Sequence, residues 1–102
     1  MAMRPYNSTL RKALRDPRDA AAYLEAALVE KDEEGFLLAL RTVAEVHGMA
    51  ALARKTGVGR ESLYKTLSED GNPKLRTLMA LLHNLGLRLS VAPEESRRKV
   101  AR

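Results

Sequence analysis

Apolar residues recur along this chain at intervals of three and four, the spacing that gathers them on one side of an α-helix. Ala20, Leu24, Ala27 and Leu28 form one such face over residues 18–29. Phe36, Leu37, Leu40, Val43 and Ala44 form a second over residues 36–47. Leu52, Leu63 and Leu67 supply the apolar side of two short helices within residues 49–67. After Pro73, Leu75, Leu78, Met79, Leu82 and Leu85 make a further stripe.

The breaks between these runs carry start and stop signals. Asp16-Pro17 offers an N-cap carboxylate and then a proline at the first helical position. The charge run at residues 30–34 reads as a solvated turn. Within it Asp32 caps the next helix, with Glu33 and Glu34 at that helix's positive end. Gly48 ends the second helix, Asn72 and Pro73 cap and open the last one, and Gly86 closes it. The pattern predicts five helices in an all-α domain over residues 16–92.

Outside them lie a basic N-terminal arm or short helical turn (residues 1–15, anchored by Leu10 and Leu14) and a charged C-terminal tail (residues 93–102). Residues 87–91 alternate apolar and polar and are the one strand-like segment. A lone strand leaves its backbone groups unpaired. Either a second chain supplies a partner strand, or the segment is an extended tail whose leucines cover the core.

Residues 49–67 read as a helix-turn-helix. Ala53 sits where two helices must approach closely, and Gly57 stands where the first ends in a left-handed turn. Val58 points back into the core. Outward on the second helix stand Arg60, Glu61, Tyr64 and Lys65, side chains suited to base edges and phosphates. Composition agrees with an all-helical fold: 45% of residues are hydrophobic, 30% charged and 4% aromatic, with no tryptophan. The net charge of +5 favours a polyanionic partner, and Arg54, Lys55, Arg60 and Lys65 all fall inside the motif.

Each of these side chains has competing roles. Arg60 is the best candidate for reading a guanine edge, against a phosphate contact or an ion pair with Glu61. Glu61 can accept from cytosine, orient Arg60 or cap the helix. Tyr64 packs on sugar or donates to phosphate, or else lies half-buried between helices. Lys65 meets the phosphate backbone. Gly59 leaves the helix start without a side-chain cap and its N–H groups open to a phosphate. Asn72 and Lys74 are candidate phosphate contacts, with capping the competing role for Asn72.

Other chemistry finds little footing. There is no cysteine, and His47 and His83 have no metal-ligand spacing, so no metal or cofactor site is expected. Ser62 has no nearby histidine base and no phosphate-cradling glycine loop is present, so an enzyme is not expected. No apolar stretch resembles a signal peptide or membrane span, which makes the cytoplasm the default location.

Two blocks of residues together carry a family resemblance. The first runs through Asp16-Pro17, Ala21-Ala22-Tyr23-Leu24, Ala27-Leu28 and Phe36 to Arg41. The second comprises Gly57, Arg60-Glu61-Ser62-Leu63-Tyr64, Leu67-Ser68, Gly71-Asn72-Pro73 and Leu85-Gly86-Leu87. Over residues 16–91 the chain resembles the addiction-module antidote family, small type II antitoxins with a repressor-type (Cro-like) helix-turn-helix. The resemblance implies a homodimer that represses its own operon by binding double-stranded operator DNA. It also implies a small toxin partner resembling the RelE/ParE group. Residues 4–15 and the C-terminal tail depart from the family pattern. Two other functions fit the residues: a stand-alone prophage-type regulator, and a toxin-binding interaction module that uses the helix-turn-helix only as scaffold.

Overall fold

The computed structural model describes residues 7–68 and 70–94, which form six α-helices and no strand. They are α1 (Asn7–Ala13), α2 (Pro17–Val29), α3 (Glu33–His47), α4 (Met49–Thr56), α5 (Arg60–Thr66) and α6 (Leu75–Asn84). The fold is all-α, as the periodicity predicts, with one helix more than the five expected. The additional helix is α1. Its two spaced leucines explain it: Leu14, just beyond the helix, is fully buried, and Leu10 packs against the same core.

The longest helix, α3, lies at the centre. Helices α1, α2 and α4 all pack on it, and α4 in turn carries α5 and α6. Leu40, Val43 and Ala44 are its fully buried residues, and they meet Leu24, Leu52, Leu63, Leu67, Leu81 and Leu85 in one core. No polar or charged side chain is buried among the described residues. The core is therefore held by apolar burial alone.

The local signals act much as the sequence suggests. Asp16 accepts the Arg18 amide at 2.9 Å, and Pro17 opens α2. Asp32 accepts the Gly35 amide at 2.8 Å at the start of α3. Gly48, with φ of 110°, turns the chain between α3 and α4, whose axes differ by 101°. No single described helix is long and apolar enough to cross a membrane.

Two expectations need correcting. Helix α6 starts at Leu75 with Lys74 in the N-cap position and no side-chain cap, not at Asn72-Pro73. Lys74 stays extended, with φ of −67° and ψ of 153°, so the first helical residue is Leu75. The apolar faces of α2 and α6 are also narrower than read, since Leu28, Leu75 and Met79 are exposed. Residues 87–91 are in no strand within the chain, which leaves both readings of the segment, a strand awaiting a second chain or a tail covering the core, open. The outer parts of the arm and tail (residues 1–6 and 95–102) lie outside the described residues.

Candidate nucleic-acid interface

The candidate surface is built on the α4–α5 pair. Helix α4 ends at Gly57, whose φ of 77° lies in the left-handed region and whose amide donates to Ala53 O at 2.9 Å. Val58 is partly buried against the core, and Gly59, extended, starts α5 with no side-chain cap. Ala53 is buried in the core. Thr56 donates back to Leu52 O at 2.8 Å, so its hydroxyl is spent inside α4. Leu63 and Leu67 are completely buried and fix which side of α5 faces out.

What faces out is mainly cationic. Arg54 and Lys55 are exposed in the last turn of α4, Arg60 and Glu61 in the first turn of α5, and Lys65 in its last turn. Among the described residues none of these cations, nor Lys74, is paired with a carboxylate, and no ion pair joins Arg60 to Glu61. Lys65 and Asn72 line one shallow hollow together with Thr66, Ser68, Asp70 and Gly71. Lys74 is exposed just beyond it, at the start of α6.

Tyr64 is half-buried and does not stand free. The Arg41 guanidinium of α3 lies over its ring, 5.2 Å from the centroid, and Arg41 Nε donates to Glu45 Oε2 at 3.5 Å. Arg41 and Glu45 were not singled out by sequence reasoning. Their own pairing is legible as an i, i+4 spacing, but the contact to Tyr64 joins residues distant in sequence.

The loop after α5 is also held tightly. The Gly71 amide donates to Ser68 O at 2.8 Å, and a Cβ at Gly71 would collide with the carbonyl of Thr66. Gly71 therefore lets the loop double back over the end of α5, so that Asn72 and Lys65 line the same hollow.

No solved structure matches this chain. An uncharacterized protein of Haemophilus influenzae is 41% identical over 69 residues, spanning 68% of this chain and 71% of the relative. The family described as "Probable addiction module antidote protein" matches residues 6–93, which takes in all six helices and the extended segment after α6. With that match spanning nearly the whole sequence, the chain belongs to the family of probable addiction module antidote proteins.

Proposed function

We propose that this protein is the antitoxin of a type II toxin–antitoxin pair and that it binds the operator of its own operon as a dimer. In this reading α4, the Gly57–Gly59 turn and α5 form a helix-turn-helix, and α5 enters the major groove. The observation that carries the reading is the outer surface of α4 and α5. Its Arg60 and Lys65 are exposed and have no carboxylate partner among the described residues, while Leu63 and Leu67 lock the opposite side of α5 into the core.

Arg60 reads a base edge, and Arg54, Lys55, Lys65, Asn72 and Lys74 contact phosphates. Glu61, in the first turn of α5, accepts from a cytosine edge. Two such helices in a dimer need to stand ~34 Å apart to meet successive major grooves. The antidote family supports a small toxin as the second partner. Neutralising a toxin is binding rather than turnover.

The test is fluorescence anisotropy with the DNA upstream of the gene, against scrambled DNA, over a salt series. Binding selective for the operator, with log affinity falling linearly in log salt, is expected from phosphate neutralisation. Arg60→Ala should weaken operator binding by roughly 1–3 kcal/mol and scrambled DNA less. Equal loss on both would make Arg60 a phosphate contact. Absence of selectivity at every salt concentration would refute the regulator and leave the toxin-binding module.

A further inference from the structure

After α6 the chain does not leave the molecule but runs the length of α2. Gly86 lies against Pro17, the first residue of α2, with its Cβ direction 3.5 Å from Pro17 Cγ. Glu94 reaches Lys31, just past the end of α2, at 3.9 Å. Between these points the segment and α2 enclose a groove of about 210 Å³, lined by Leu24, Leu28, Phe36, Leu82, Leu87 and Leu89 among others. Leu28 is 51% exposed, Leu89 40% and Val91 99%.

The backbone of this segment is unsatisfied by the fold. The Leu87 amide donates to Leu82 O at 2.7 Å, and after it residues 88–92 make no hydrogen bond among the described residues. Helix α2 can cover the side chains of Leu87 and Leu89 but not pair with their backbone, because its own amides and carbonyls are used within the helix. An extended segment with one apolar face and free ladder groups is completed by another extended segment.

We propose that residues 87–91 pair antiparallel with the same residues of a second copy of the chain, about a two-fold axis at Leu89. This deepens the operator-binding reading above by locating the dimer that it requires. The register follows from charge and side-chain type. Centred on Leu89, it sets Leu87 opposite Val91 of the second copy, Leu89 opposite Leu89, and Arg88 opposite Ser90. Centred on Arg88 it would oppose two arginines, which destabilises a pair. Centred on Ser90 it would set Leu87 opposite Pro93, which has no amide to give.

In the Leu89 register all three apolar residues meet apolar partners, and the two α2 grooves fall on one face of the ribbon. Such a contact is isologous and closes after two chains.

The absence of cysteine gives a clean test in the full-length protein. Directly opposed residues have Cβ atoms about 4.5–5.5 Å apart, close enough for a disulfide to form with little adjustment. Leu89→Cys should therefore form a covalent dimer under mild oxidation. Arg88→Cys, on the other face and facing Ser90, should stay unlinked under the same conditions.

Val91→Asp should convert the dimer to a monomer by sedimentation with its helical circular dichroism unchanged, because Val91 is 99% exposed and no part of the core among the described residues. A wild-type monomer across the dilution series overturns the proposal, as does a dimer that ignores Val91→Asp while Leu89→Cys stays unlinked. Protection of the amides of residues 88–91 from exchange only on addition of toxin would also overturn it, assigning the segment to that partner. No DNA enters these measurements, so a failure of operator binding leaves their outcome intact.

Discussion

Asp32 holds the first turn of α3, the helix on which α1, α2 and α4 all rest, through a 2.8 Å bond from the Gly35 amide. Asp32→Ala should lower stability by about 0.5–2 kcal/mol in urea unfolding, and Asp32→Ser should recover most of it. An unchanged midpoint for the alanine variant would mean that water replaces the cap without loss. Both caps, Asp16 and Asp32, were legible in the sequence because a cap and its amide lie within three residues of each other. Arg41 was not legible in this way. Its contact with Tyr64 exists only once α3 and α5 have packed, and no local spacing encodes it.

Helix identity was legible for the same reason that the caps were: periodicity is local, and five of the six helices coincide with apolar runs. Helix α1 was ambiguous because its own seven residues carry one leucine, and the decisive anchor, Leu14, lies just past its end. The start of α6 was misplaced because its loop is set by Gly71 folding over Thr66, a contact across the loop rather than a signal at the helix. The α4–α5 turn shows how one residue governs two elements. Gly57 holds φ at 77° with open space around its Cβ direction, so replacing it brings conformational strain and no clash. Gly57→Ala should cost about 1–2 kcal/mol of stability, and Gly57→Asn less, as read by thermal or urea unfolding. Equal losses for the two would point to packing rather than backbone geometry.

Strand formation at residues 87–91 takes a second segment, since a ladder belongs to two, and no strand is found among the described residues of one chain. The alternation was visible in the sequence; whether it pairs is decided at the level of the assembly. The candidate site divides likewise. Its exposed cations could be read from the motif, whereas the hollow joining Lys65 to Asn72 arises from the path of the α5–α6 loop.

The stacking of Arg41 on Tyr64 carries an optical consequence. The chain has three tyrosines and no tryptophan, so its intrinsic ultraviolet emission comes from tyrosine alone. One of those emitters sits on α5 beneath a cation, and Tyr23 reports from α2, packed against the core. A ligand that draws the guanidinium toward a phosphate should alter the emission of the unlabelled protein. Titrating operator DNA while exciting tyrosine should give a signal that Tyr64→Phe abolishes. A signal that survives in that variant would arise elsewhere in the molecule. The surface proposed to meet DNA would thus carry its own fluorophore, and binding could be followed without a dye on either partner.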